Sequence, residues 1–79
     1  MKDMEYIISD ELRVERVTRG YSLKEAQKLT GVEASIIHNY ERNKRKMYIN
    51  TIIKILNGYN IQIDIFFDKC ITRVQGNEV

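Results

Sequence analysis

Residues 22–43, SLKEAQKLTGVEASIIHNYERN, constrain the architecture more than any other stretch of this 79-residue chain. Ser22 and Glu25 have the spacing of a capping box, in which each side chain accepts a hydrogen bond from the other residue's backbone N–H. Thr30-Gly31-Val32 ends the helix that this cap begins, because glycine takes up positive φ and leaves room for two helices to cross. From Ser35 a helical pattern resumes, with Ile36, Ile37 and Tyr40 as its apolar positions. Directly after it comes Arg42-Asn43-Lys44-Arg45-Lys46, four cations in five residues. The stretch reads as two short helices joined by a tight turn and closed by a cationic loop. A second helix flanked in this way suits the major groove of duplex DNA.

With 79 residues the chain has room for one domain and a small core, and domains of this size often gain stability by pairing. Hydrophobic content of 43% and charged content of 30% are globular values. Cys70 is the single cysteine, so no internal disulfide can form, and there is no CxxC or Cys/His cluster; this usage fits a reducing cytosol. The N-terminal MKDMEYIISDEL is acidic where a secretory signal would be basic, and its apolar runs are too short to span a bilayer. The expectation is a soluble, cytoplasmic protein with no membrane partner.

The net charge of +2 hides an asymmetry. Residues 1–12 sum to −3, residues 13–54 to +6 and residues 55–79 to −1. The cations therefore concentrate around the two-helix unit. A solvated charged face is the simpler account of a charge run, but its coincidence with the turn points to phosphate binding, where each neutralised phosphate releases counterions.

Hydrophobic spacing predicts a first helix over about 4–19 with Ile8 and Leu12 on one face and Val14 and Val17 nearby, stopped by Gly20. A second runs from Leu23 to Thr30, burying Leu23 and Ala26 with Leu29 partly covered. The third spans about Ala34 to Arg42, with Asn43 in a C-cap position. The fourth covers Ile49 to Tyr59, where Ile49, Ile52, Ile53, Leu56 and Tyr59 line one face, Gly58 weakens the last turn and Asn60 can cap it. After it, Asn60 to Ile65 alternates apolar and polar in β-branched residues, which predicts a strand at about 61–67. A lone strand needs a partner, and the simplest is the same strand of a second copy, with Ile61, Ile63, Ile65 and Phe67 as dimer contacts. A short fifth helix with Phe66 and Phe67 on the core is the competing reading. Residues 1–68 form the expected DNA-binding and dimerisation domain, and residues 69–79 a polar tail without clear period, open to disorder.

Leu12-Arg13, Gly20 to Glu25, Leu29 to Val32, Ser35, Ile37, Glu41-Arg42-Asn43, Ile49, Lys54-Ile55 and Ile61 stand in a familiar spacing. Over about residues 12–67 the chain resembles the phage-repressor-like (Xre-type) helix-turn-helix family. The resemblance implies a mainly α, lambda-repressor-like domain of four to five helices, usually a dimeric transcriptional regulator whose third helix lies in the major groove. Glu41-Arg42-Asn43-x-Arg45 is similar to controller proteins of restriction–modification systems. The step into an alternating strand is similar to DNA-binding antitoxins, whose strands pair between subunits and whose tail can engage a toxin. Four positions depart from the family pattern. Glu33 stands where a Ser or Thr often opens the third helix, and Gln27 where a small alanine lets helices two and three pack closely. Leu23 replaces a polar residue that touches the DNA backbone, and Glu15 a residue that is usually apolar.

On the third helix Ile37 and Tyr40 point inward by spacing, while Ala34, Ser35, His38 and Asn39 can face out. The resemblance carries base contact onto Ala34, Ser35 and Asn39, with Glu33 at the helix start. An Asn39 amide can donate and accept at once against adenine. Ser35 could bond to a base or a phosphate, or cap the helix; Ala34 could only touch a thymine methyl. His38, the one histidine, is a DNA contact or a solvated side chain, since it has no partner ligands for a metal. Arg42, Lys44, Arg45 and Lys46 suit phosphates better than bases because they lie at the helix end and beyond. Asn43 and Tyr48 could add neutral phosphate bonds, Tyr48 being equally suited to packing. Arg13, Arg16 and Arg19 either flank the DNA backbone or pair with Glu11 or Glu15. The scattered Tyr6, Tyr21, Tyr40, Tyr48 and Tyr59 form no stacking platform for single strands, which favours duplex DNA.

The leading function is a homodimeric, sequence-specific double-stranded DNA-binding regulator, a repressor or an activator, at an inverted repeat. The alternative is an antitoxin-type protein that neutralises a toxin or other protein partner and autoregulates its operon. Nothing in the residue pattern points to an enzyme or a cofactor: there is no nucleophile–base motif, no set of metal ligands and no phosphate-cradling glycine loop.

Overall fold

Local chemistry decides where each helix starts and stops. The computed structural model describes residues 3–76. The first helix, α1 (Met4–Thr18), opens where the Asp3 carboxylate accepts the Glu5 N–H at 3.1 Å, and it closes just before Gly20, whose φ is 74°. The next, α2 (Leu23–Thr30), carries both bonds of the capping box: Glu25 N–H to Ser22 Oγ at 3.0 Å and Ser22 N–H to Glu25 Oε1 at 2.9 Å. It ends at Gly31 in the left-handed region, a conformation that costs glycine nothing. Then come α3 (Ala34–Glu41), α4 (Ile49–Gly58) and α5 (Ile63–Gly76), with Asn43 and Asn60 at positive φ after α3 and α4.

Five helices close around one core. The helix α3 packs on α1 and α2, α4 packs on α2, and α5 packs on α1 and α4. Ile7, Leu12, Ala26, Ile37, Tyr40, Ile55, Leu56, Phe66 and Cys70 are buried almost completely. Each large apolar side chain among them contributes about 1.5–3 kcal/mol through removal from water. The apolar face expected on α4 is only partly inside: Ile52, Leu56 and Tyr59 are buried, with Ile55 beside them, while Ile49 lies exposed at the helix start. Val14, Val17 and Leu29 are also on the surface.

The predicted strand at 61–67 is replaced by α5, and no strand occurs among the described residues. The alternation stops at Phe66-Phe67, and from there a period of about four takes over. Phe66 and Cys70 are fully buried, and Ile63, Phe67 and Val74 pack partly against the core. A helix satisfies its own backbone bonds, whereas a single strand leaves an edge unpaired. Two expectations change with it. Residues 69–76, read as polar tail, are the second half of α5, and residues 77–79 lie outside the described residues. The dimer set Ile61, Ile63, Ile65 and Phe67 also loses its common face, since alternate residues of a helix point apart. Ile61 is buried, and Ile65 lines a groove of about 460 Å³ with Glu11, Lys69 and Arg73.

Ion pairs hold α5 to α1. Arg73 reaches Asp10 at 2.8 Å and Glu11 at 3.0 Å, and Lys69 reaches Glu15 at 3.2 Å. Glu15, in a place usually apolar, is buried and also accepts Arg19 at 2.6 Å. Burial pushes its pKa up, but hydrogen bonds from Arg19 and Lys69 outweigh this and hold the carboxyl below its ordinary range.

Gly58 has a steric role. A Cβ there would stand 2.6 Å from Thr30 Cγ2 and 2.7 Å from the Leu29 carbonyl oxygen, so α4 approaches the end of α2 through the missing side chain. Gly58→Ala is expected to destabilise the domain by about 1–3 kcal/mol in urea unfolding, despite the better helix propensity of alanine. Unchanged or raised stability would show that the approach is not this close.

Candidate nucleic-acid interface

The position of α3 is set from behind by one guanidinium. Arg16 on α1 donates through Nε to Glu41 Oε2 at 2.7 Å and through Nη2 to Glu41 Oε1 at 2.9 Å. Its Nη1 donates to the Tyr21 carbonyl at 2.8 Å. Both side chains are largely inside, with relative exposures of 15% for Arg16 and 3% for Glu41. Arg16 is therefore a scaffold residue, and its partner is Glu41 instead of Glu11 or Glu15. Arg13 pairs with Asp10, and Arg19 with Glu15 as the spacing allowed. The Tyr59 hydroxyl is buried without a hydrogen-bond partner, and burial, reinforced by the Glu41 charge, pushes its pKa up to about 12.

Two departures from the family pattern meet at the front of α3. Glu33 occupies the N-cap position but makes no side-chain cap bond. Gln27 on α2 takes a different helix-start donor, its Oε1 accepting the N–H of Ala34, the first residue of the helix, at 2.8 Å. A longer side chain in the place of alanine thus joins α2 to α3 and satisfies a helix-start donor. Leu23, at a position usually polar, packs partly against the core.

The outward side of α3 is accessible. Ser35 and His38 are exposed, Ala34 and Asn39 are half-buried on its flanks, and Ile37, Tyr40 and Glu41 face the core. Beyond the helix, Arg42, Asn43, Lys44, Arg45 and Lys46 are all exposed. Asn43 turns the chain at φ 53°, and the Lys44 N–H bonds to the Asn39 carbonyl at 2.9 Å. Tyr48 is exposed, with Lys46 Nζ 5.7 Å from its ring centroid, and its backbone N–H donates to the Tyr40 hydroxyl at 3.0 Å. The residues read as base-contacting and as phosphate-binding thus lie on one continuous stretch from Ala34 to Tyr48.

Charge divides sharply over this surface. Among the described residues, Arg13, Arg16, Arg19, Lys69 and Arg73 are engaged in ion pairs on α1 and α5. Lys24, Lys28, Arg42, Lys44, Arg45, Lys46 and Lys54 form no ion pair with any described residue, and all are exposed. Lys24 and Lys28 had no role assigned from sequence, although their spacing of one helical turn puts them on one side of α2. No cluster of three His, Cys, Asp or Glu side chains is placed to hold a metal among the described residues, and no helix there is long and apolar enough to cross a membrane.

The helix-turn-helix family profile matches residues 12–66. The chain belongs to this helix-turn-helix family. It is thereby a DNA-binding transcriptional regulator by class. The fold is also that of the restriction–modification controller protein C.Esp1396I, whose wild-type structure superposes with a TM-score of 0.84 over 94% of this chain and 95% of that one, at 19% identity. The C.Esp1396I tetramer in complex with its natural 35-base-pair operator gives a TM-score of 0.86 over 95% and 99% of the two chains, again at 19% identity. The same protein bound to a 25-base-pair operator site gives 0.84 at 19% identity, with coverage of 95% and 99%. No curated protein sequence matches the chain.

For this helix-turn-helix domain, Gln27→Ala should cost about 1 kcal/mol in urea unfolding, as loss of an N-cap does. A silent Gln27→Ala would show that the bond to the Ala34 N–H adds nothing to stability.

Proposed function

We propose that this chain acts as a homodimer on an inverted-repeat operator, laying α3 in the major groove and gripping the flanking phosphates with the loop that follows. The observation that carries this reading is the charge division: the cations without ion pairs gather on α2, the 42–46 loop and Lys54, around an accessible α3. Exposed, uncompensated cations suit phosphates, since each contact releases counterions. Asn39 reads adenine, Ser35 a base or phosphate, and Ala34 and His38 complete the base-facing side. Arg42, Asn43, Lys44, Arg45, Lys46 and Tyr48 hold the backbone.

Dimerisation uses the outer side of α5. Ile63, Phe67, Ile71 and Val74 recur at intervals of four, four and three residues and form one stripe, with Ile71 43% exposed and the others half-buried. A two-fold axis would bury that stripe against itself and set the two α3 helices about one turn of DNA apart. The operator-bound C.Esp1396I tetramer, of the same fold, supports an assembly of copies on DNA. The partner-neutralising alternative drew on a C-terminal strand and a loose tail, and through Gly76 both are replaced by α5.

Selection from random-sequence duplexes tests the reading as a whole. A symmetric inverted repeat is the expected product; no enrichment, or enrichment of single strands, would refute it. Replacing Lys44, Arg45 and Lys46 with glutamine should weaken binding to all duplexes and flatten the salt dependence by about one unit of slope per lost phosphate contact. An unaltered slope would move the clamp elsewhere. Asn39→Ala should cost ~1–3 kcal/mol at one base position only, and equal losses on selected and random duplexes would remove its base-reading role.

A further inference from the structure

The segment from Arg42 to Tyr48 bears four clustered cations and lies outside the helices, so its shape depends on what holds it. Its first half is held by backbone, through the Lys44 N–H to Asn39 carbonyl bond at 2.9 Å and the turn at Asn43. Its second half is held by two buried side chains. Tyr40, 1% exposed on α3, offers its hydroxyl to the Tyr48 N–H at 3.0 Å. Ser9, buried on α1, donates its hydroxyl to Met47 Sδ at 3.6 Å.

We propose that Tyr40 is a positioning residue for DNA binding, its hydroxyl fixing the far end of the cationic loop to the helix that enters the groove. The inference rests on the DNA-binding reading above. A loop already held in its bound shape loses less conformational freedom when phosphates dock, so more of the electrostatic attraction appears as affinity. Anchoring it to α3 also keeps the phosphate clamp in register with the base-facing side chains.

Tyr40→Phe keeps the ring and removes only the bond to the loop. In the free protein, hydrogen exchange at the Tyr48 amide should accelerate. Affinity for a random duplex at low salt should fall about tenfold, as expected when a preorganised contact must be ordered on binding. Tyr59→Phe, the same chemical change at a hydroxyl without a partner, should leave affinity unchanged. The deciding arm is a double-mutant cycle: with Lys44, Arg45 and Lys46 already replaced by glutamine, Tyr40→Phe should have no further effect on affinity. Ser9→Ala, which releases the same loop from α1, should show a smaller loss with the same dependence on the three cations, and it serves if Tyr40→Phe folds poorly. Equal losses in both backgrounds, or no loss while the wild-type protein binds, would overturn the proposal and leave the DNA-binding reading standing. Wild-type protein that binds no duplex would overturn both.

Discussion

The bidentate contact between Arg16 and Glu41 is the constraint on which the rest of the binding surface depends. It joins α1 to the last residue of α3, and the third guanidinium bond to the Tyr21 carbonyl draws in the turn that leads to α2. One side chain thus fixes the exit of α3 and the entry to α2. A charged pair this far inside is held by geometry: both carboxylate oxygens are used, and three of the five guanidinium donors are satisfied. Removing either partner would leave the other charge buried alone, at a cost of about 3–5 kcal/mol for pairs of this kind. The contact also withdraws Arg16 from the surface, so the front of the domain is defined by what remains.

What remains, among the described residues, is a set of exposed cations outside any ion pair. On α1 and α5 the acidic residues Asp10, Glu11 and Glu15 neutralise Arg13, Arg19, Lys69 and Arg73, and the contacts that fasten α5 leave little net charge there. Among the described residues, the cations of α2, of the loop after α3 and Lys54 form no ion pair, Lys28 having only the nearby charge of Glu25. The charges that hold the helices together are therefore separate from those left exposed to solvent. The apolar residues of α5 serve the core, with Ile63, Phe67 and Val74 packed partly against it and Ile71 left exposed.

Much of this was legible in the residues because the signals were local. The Ser22–Glu25 box, Gly31, Asn43 and the period of α4 each act within one or two helical turns, and the helices begin and end within a residue of where those signals put them. The failure at 61–67 has a physical cause. Alternation in Ile61, Ile63 and Ile65 covers only five residues, whereas the helical period of Ile63, Phe66, Phe67, Cys70 and Val74 runs on into a stretch that polar composition disguised. Contacts between residues far apart in the chain were the other blind spot. Glu41 has its partner 25 residues away, Glu15 finds Lys69 at a distance of 54, and the cap on α3 comes from Gln27, whose length looked like a defect. The accessible side of α3 and the exposed cationic loop needed no such partner, so spacing was enough to place Ser35, His38 and the 42–46 cations at the surface, while the assignment of base contacts came from the family resemblance.

The most direct test of the central claim is to titrate the isotope-labelled protein with a generic duplex of about 20 base pairs at low salt and follow backbone amide shifts, since phosphate attraction does not depend on sequence. The account predicts that the largest changes fall between Ala34 and Tyr48 and on the start of α2, with α5 and the outer side of α1 nearly silent. Changes centred on α5, or none at all under these conditions, would contradict it.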